Sequence, residues 1–285
     1  MSQEQVGQPA APPVCPRHPD RVSYVRCQRC GRPVCADCQR QAAVGVQCVD
    51  CVAEAAAAVP ARRTILGGQV RQGRPVVTLT FIGLCVASYV LQQVDDPGWI
   101  NRFAFNPVVA SAEPWRFVTA AFLHGSVMHL ALNMIALWFV GPFLEQGLGR
   151  VRFATLYLLS AVAGQVGVVL LAGPTDTWTT WVVGASGAVF GLFGAIFFVM
   201  RRVGGNVSGI VGVIVLNVVL GFVVSGIAWQ AHIGGLVAGA VLGAAYSLAP
   251  RAYQRTVAVA VPVALLVLMY VLVNAAYANV HLSFL

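Results

Sequence analysis

Three short motifs, far apart in the chain, hold the residue types of nucleophilic catalysis. HGSVMHLALN contains His124, His129 and Asn133; GASGAVFG contains Ser186 between Gly184 and Gly187; AHIGGLVAG contains His232. A serine hydroxyl is a weak nucleophile until a neighbouring imidazole takes its proton. Attack on a peptide carbonyl then builds negative charge on oxygen, and an Asn amide, an imidazole N–H or backbone amides stabilise it. His129 and Asn133 are four residues apart and share one face of a helix. Glycines around Ser186 leave room for a substrate backbone. Each residue alone has a plainer reading: Ser between glycines is a packing residue in a membrane helix, and His at a helix end is an interfacial polar tip. The joint pattern is what points to a Ser–His hydrolase, with a channel or transporter as the competing reading.

A second set lies at the N-terminus. Cys15-x2-His18, Cys27-x2-Cys30, Cys35-x2-Cys38 and Cys48-x2-Cys51 make four pairs. Two residues between ligands let both side chains turn onto one ion, so eight donors predict two structural zinc sites. Order alone does not fix the pairing. A cross-braced arrangement is expected, pairs one and three on one ion and two and four on the other. A disulfide framework fits poorly: these pairs hold an odd number of cysteines, and a cytoplasmic head is a reducing setting. The remaining Cys85 falls inside an apolar run and reads as a small packed residue.

The elements that must position these groups are membrane helices. Of 285 residues, 58% are hydrophobic and only 10% charged, against about 25% charged in soluble domains. The apolar residues fall into stretches near the roughly 20 residues that span a bilayer. Seven spans are expected, near 76–94, 122–142, 153–172, 184–200, 207–225, 232–249 and 257–275, with turns DDPG, EQGLGR, AGPTDTW, RRVGG and APRAYQR between them. In lipid every backbone group needs an internal partner, so these stretches are helices. Gly187 and Gly191, and Gly235, Gly239 and Gly243, recur at the spacing that lets membrane helices approach closely. No internal repeat is evident and no acidic residue lies inside a span, which disfavours a proton- or cation-coupled transporter.

Residues 1–13 read as a disordered tail, 14–52 as a cytoplasmic zinc-binding module, 53–75 as a linker, 76–250 as a six-helix membrane domain and 251–285 as a seventh helix with an outer tail. The first twenty residues lack an apolar run, so the first span is expected to act as its own insertion signal. With the N-terminus inside, Arg62, Arg63, Arg71, Arg74, Arg150, Arg152, Arg201, Arg202, Arg251 and Arg255 face the cytoplasm, and only Arg102 and Arg116 lie outside. The C-terminus is then extracytoplasmic. All basic residues are Arg and the net charge is +8, but no basic patch interleaved with aromatics is evident, so no nucleic-acid partner is expected. The first outer loop carries Trp99, Phe103, Phe105, Trp115 and Phe117, which suit an interfacial or partly embedded loop.

On these motifs, with Glu113-Pro-Trp115-Arg116 in the first outer loop, the chain resembles the rhomboid family of intramembrane serine proteases over roughly residues 76–250. The resemblance implies Ser186 as nucleophile and His232 as general base, with no acidic third member. His129 and Asn133 match the oxyanion-stabilising pair, with the Ser186 amide helping. His124 matches a structural polar residue, and Glu113, Trp115 and Arg116 match the embedded first loop. Glu145 and Arg150 suit polar bracing at the inner surface. Some members have a Tyr one turn after the Ser; here it is Phe190, so ring stacking on the base survives, a hydroxyl bond does not, and activity is expected to persist. The seventh helix fits the family's six-plus-one form. The head resembles a B-box-like or zinc-ribbon-like module carried by some actinobacterial-type members, implying a bacterial cell membrane.

The implied reaction is hydrolysis of peptide bonds in or near transmembrane segments of membrane-protein substrates, with no cofactor for catalysis. The partners implied are the lipid bilayer, those substrates, and a cytoplasmic protein for the zinc module. Two rivals remain: a rhomboid-like protein that binds clients without cutting them, and a transporter or scaffold that works through its zinc head.

Overall fold

A computed structural model describes residues 11–58, 64, 66–68, 73–95, 97–171, 176–223 and 226–283. The chain forms two compact units, Met1–Ala61 and Arg62–Leu285. Most of the expected disordered tail, together with Arg62, Arg63 and Arg71, lies outside the described residues.

In the first unit, β1 (Val14–Cys15) pairs with β2 (His18–Val22) and β3 (Gln39–Gln41) pairs antiparallel with β4 (Val46–Cys48), which runs into α1 (Val49–Ala58). The buried cluster consists of Cys15, Cys27, Cys35, Cys38, Cys48 and Cys51 with Val34 as the sole fully buried aliphatic among the described residues. So small an apolar core offsets little of the entropy of ordering the chain.

The described part of the second unit is mainly helical. α2 (Val76–Val94) is followed by a loop with three short helices, α3 (Gly98–Phe103), α4 (Pro107–Ala110) and α5 (Arg116–Thr119). Then come α6 (Val127–Leu148), α7 (Arg150–Leu171), α8 (Ser186–Arg202), α9 (Ser208–Val223), α10 (Trp229–Leu248) and α11 (Gln254–Ser283). Each of the seven expected stretches overlaps one of the long helices α2 and α6–α11 among the described residues. Among the described residues five helices are long and apolar enough to cross a membrane, while α8 and α9 have 17 and 16 residues. At 1.5 Å per residue α8 reaches roughly 25 Å, shorter than the roughly 30 Å hydrocarbon core.

The second expected span shifts along the chain. The structure starts α6 at Val127, because Ser126 is extended and its hydroxyl accepts from the His129 amide as an N-cap. His124 therefore sits before the helix, after a 3₁₀ turn at Ala120–Phe122. The helix also runs through Pro142 to Leu148, so Glu145 belongs to its last turns rather than to the following loop.

α7, α8 and α10 form the centre. α7 buries about two-thirds of its best apolar window, whereas α11 buries about a tenth and lies at the periphery. Glycines set the α8–α10 distance: a Cβ on Gly235 would stand 1.9 Å from the Gly187 carbonyl oxygen, and one on Gly239 as close to that of Gly191. Any side chain there would force apart the helices that begin at Ser186 and carry His232.

At the end of the bundle away from the first loop, Glu145 holds the start of α2. Its carboxylate accepts from the Val77 amide at 3.1 Å and from the Thr78 amide and hydroxyl at 2.9 and 2.8 Å, with Arg150 at 3.7 Å. A carboxylate at a helix N-terminus meets both the orphan amides and the helix dipole. Part of the stretch expected as linker packs here. Leu66 is buried with Leu144 and Leu148, the Thr64 hydroxyl donates to the Gly147 carbonyl at 2.6 Å, and Arg152 donates to the Leu66 carbonyl.

Candidate active site

Ser186 is the first residue of α8 and half-buried. His232 lies in the first turn of α10. Their helices meet beside them, since a Cβ on Gly187 would stand 3.4 Å from the Ala231 carbonyl oxygen. One turn beyond Ser186, Phe190 lies flat on the His232 imidazole, with ring centroids 4.1 Å apart and planes 11° apart. Nδ1 of His232 is buried and has no hydrogen-bond partner among the described residues. The imidazole is thus oriented by an apolar ring rather than by a carboxylate.

Gly184 brings the third motif in. Its φ of +131° is a conformation that side-chain-bearing residues rarely adopt. A Cβ there would stand 2.6 Å from His129 Cε1, 2.8 Å from His129 Nε2 and 3.7 Å from Ser186 Oγ. His129 and Ser186 therefore flank the same glycine. The Gly125 amide donates to His129 Nδ1 at 3.4 Å, which leaves the ring proton on Nε2, the nitrogen beside Gly184. Asn133 is buried and donates one amide hydrogen to the His129 carbonyl at 2.8 Å; its second amide hydrogen remains to be placed. These groups suit an oxyanion: two N–H donors with little conformational freedom, beside a hydroxyl.

His124 is buried, its ring edge-on to His129 at 5.2 Å, and neither ring nitrogen has a hydrogen-bond partner among the described residues. Its backbone is clasped by Gln92 on α2, which donates to the His124 carbonyl at 2.9 Å and accepts from its amide at 3.0 Å. The sequence reading missed Gln92, although a polar residue near the end of an apolar span was a visible signal.

The first loop is braced from inside. Arg116 is buried; its Nε donates to Glu113 at 2.6 Å and Nη1 to the Ala104 carbonyl at 2.7 Å, and its guanidinium lies 5.5 Å over the Trp181 ring. Trp115 is half-exposed at the loop surface, with its indole N–H directed to the Arg102 carbonyl at 3.4 Å. A backbone ladder that sequence could not reveal ties this loop to the segment before Ser186. Phe105 and Val182 exchange both hydrogen bonds, at 3.0 and 2.8 Å, and the Gly184 amide donates to the Ala120 carbonyl at 2.9 Å.

In the head, the donors gather as Cys15, His18, Cys35 and Cys38, and as Cys27, Cys30, Cys48 and Cys51, with all ligand atoms of a set within 4.8 Å of one another. Pairs one and three are together, and two and four: the cross-braced arrangement. His18 Nδ1 lies 3.2, 3.4 and 4.0 Å from the sulfurs of Cys35, Cys38 and Cys15, and Cys30 and Cys48 sulfurs lie 3.8 Å apart. Donor–donor edges around a tetrahedral zinc are roughly 3.5–3.8 Å, so both sets fit the ion. The crowded thiols are shifted in opposite directions. A hydrogen bond from the Cys35 backbone pulls the Cys15 thiol down to about 6, burial pushes Cys38 up to about 11, and the Cys48 side chain pushes Cys51 up to about 12. Amides of Cys48 and Cys51 donate to Cys27 and Cys48 sulfurs at 3.2 and 3.3 Å, and Arg32 donates to Cys30 sulfur at 3.3 Å.

A Rhomboid domain family model matches residues 111–249, a range that includes every residue of the candidate catalytic site and neither the head nor α11. The chain is 36% identical to the putative rhomboid protease YdcA of Bacillus subtilis, over 46% of this chain and 67% of that one. It is 34% identical to rhomboid protease GluP of the same organism, over 59% of this chain and 34% of the relative. Rhomboid protease GlpG of Yersinia pseudotuberculosis is 29% identical over 56% of this chain and 59% of its own. The matched region thus covers between a third and two-thirds of the length of these relatives.

Proposed function

We propose that this chain, which belongs to the rhomboid family and is a multi-pass membrane protein, is a serine endopeptidase that cuts peptide bonds in or near transmembrane segments of membrane-protein substrates. The observation that carries the reading is the meeting of three remote motifs at one place: His232 stacked on Phe190, one turn from Ser186, and the Nε2 side of His129 across Gly184 from the same serine.

In this reading His232 removes the Ser186 proton as Oγ attacks the scissile carbonyl. His129 Nε2–H, the free Asn133 amide hydrogen and the Ser186 amide receive the oxyanion. His232 then protonates the leaving amine, and water entering from the loop end hydrolyses the acyl-enzyme. Burial and the Phe190 stack hold the base without a carboxylate. The mechanism needs no metal. Glu113, Arg116 and the Phe105–Val182 ladder hold the wall of the site, and His124 supports His129.

The head is assigned two structural zinc ions, on Cys15, His18, Cys35 and Cys38 and on Cys27, Cys30, Cys48 and Cys51. The membrane orientation follows the Arg distribution, with the N-terminus cytoplasmic and the C-terminus extracytoplasmic in a bacterial membrane, and the head is available to a cytoplasmic protein partner.

Purified full-length protein is labelled with a fluorophosphonate beside Ser186→Ala and His232→Ala. Labelling that needs both residues is expected. Labelling that survives in Ser186→Ala rejects the dyad, and a folded but unlabelled wild type supports a client-binding role.

A further inference from the structure

The seventh helix is outside the matched domain, yet its last turns reach the loops beside the site. The Tyr277 hydroxyl donates to the Pro107 carbonyl at 2.7 Å, and its ring meets Trp178 edge-on, with centroids 5.5 Å apart. Pro107 begins α4 and follows the Asn106 N-cap and Phe105. Trp178 lies in the 3₁₀ turn Asp176–Thr179 that leads to Val182. One side chain therefore contacts both segments that flank the Phe105–Val182 bridge, at Pro107 two residues after Phe105 and at Trp178 four residues before Val182. A second apolar cluster, separate from the main core, is built at this end from Phe105, Ala110, Ala120, Val168, Val169, Trp178, Val182 and Ala231, with Ala276 and Tyr277 packed on it. It joins the first loop, the segment ahead of Ser186 and the residue before His232. Along the rest of its length α11 is largely exposed, with Met269 buried and Ala258, Val261, Leu265 and Val273 packed on the main core, and Ala276 and Tyr277 are its contacts with this second cluster.

We infer that α11 is a clamp on the active-site loops and that Tyr277 is a positioning residue for the hydrolysis proposed above, acting through the Phe105–Val182 ladder on the approach to Ser186. The inference rests on the serine-endopeptidase reading for its effect on rate, and on geometry alone for its effect on the loop. The hydroxyl bond anchors the loop backbone at Pro107, and the ring seals Trp178. Releasing either lets the two strands slide relative to each other and moves Gly184, whose amide hangs from Ala120.

The test uses full-length protein in detergent micelles: wild type, Tyr277→Phe, Tyr277→Ala and Tyr270→Phe. Tyr270 is on the same helix and 71% exposed, so it controls for changes in α11 alone. Two rates are read, fluorophosphonate labelling of Ser186 and tryptic cleavage after Arg102 in the first loop, with apparent melting temperature alongside. Tyr277→Phe keeps the ring and loses one hydrogen bond. It is expected to slow labelling about two- to tenfold and to lower the melting temperature by at most a few degrees, the size of effect that one net hydrogen bond carries. Tyr277→Ala is expected to slow labelling about tenfold or more. Both speed cleavage after Arg102, and Tyr270→Phe changes neither rate. Either rate unmoved in folded Tyr277→Ala overturns the clamp. If wild type itself is not labelled, the endopeptidase reading has failed, and the tryptic rate alone decides whether α11 holds the loop.

Discussion

Phe190 and His232 are stacked almost parallel, 4.1 Å between ring centroids, on two helices brought to backbone contact by glycines. The stack does for the imidazole what a carboxylate does in a three-residue triad: it removes rotational freedom. It offers no formal charge, only the weaker attraction of a ring face for a cation, so orientation is its main contribution. An aromatic pair is worth about 0.5–1.5 kcal/mol, which is two- to tenfold in rate. Phe190→Ala is therefore expected to lower the cleavage rate of a single-span substrate about tenfold, with Phe190→Tyr near wild type. Wild-type turnover in the alanine variant would remove Phe190 from the machinery.

Gly184 cannot carry a side chain. Its φ is +131°, and the first carbon added would overlap the His129 ring. Gly184→Ala is expected to displace His129 from Ser186 and reduce labelling by at least a hundredfold while the protein remains helical by circular dichroism. Labelling within a few-fold of wild type would show that the ring yields without consequence.

Arg116 links three parts of the loop end: Glu113, the Ala104 carbonyl and the Trp181 face. Its guanidinium is buried while Glu113 is about a third exposed, so solvent screens part of the pair. Arg116→Ala is expected to cost about 2 kcal/mol, mostly from the unpaired Ala104 carbonyl and the lost fork, and to lower the apparent melting temperature by several degrees. Arg116→Lys recovers only part, because an ammonium lacks the planar fork. Equal melting curves for Lys and Arg would show that charge alone suffices.

The head should be metal-dependent. Two equivalents of zinc per chain are expected by elemental analysis, falling to one in Cys27→Ser or in Cys35→Ser, since those residues belong to different sets. Chelation is expected to unfold residues 14–52, seen as rapid tryptic cutting at Arg17 and Arg26, while labelling of Ser186 persists. Acidification should release the metal, because protons compete for the thiolates. A head that stays protease-resistant after exhaustive chelation would refute the structural role.

Much of this protein was legible in its sequence. Apolar stretches of spanning length allow only helices in lipid, so the seven helices follow from composition. Paired Cys and His spacing singled out the residues that gather into two four-donor sets, because ligand spacing is a local constraint. Ser186, His129, Asn133 and His232 stood out as polar groups in apolar surroundings. What only the tertiary structure decided is how remote segments meet. The start of α6 moved to Val127 because a Ser126 cap outweighed hydropathy at its boundary. The Phe105–Val182 ladder joins backbone groups, which carry no residue-type signal. The pairing of the cysteine sets was expected by preference and set by the fold. Gln92, Trp181 and Tyr277 act through partners tens to over a hundred residues away. Such contacts depend on helix orientation and depth, quantities that emerge only when glycine-lined faces close against one another and leave each loop a single place to go.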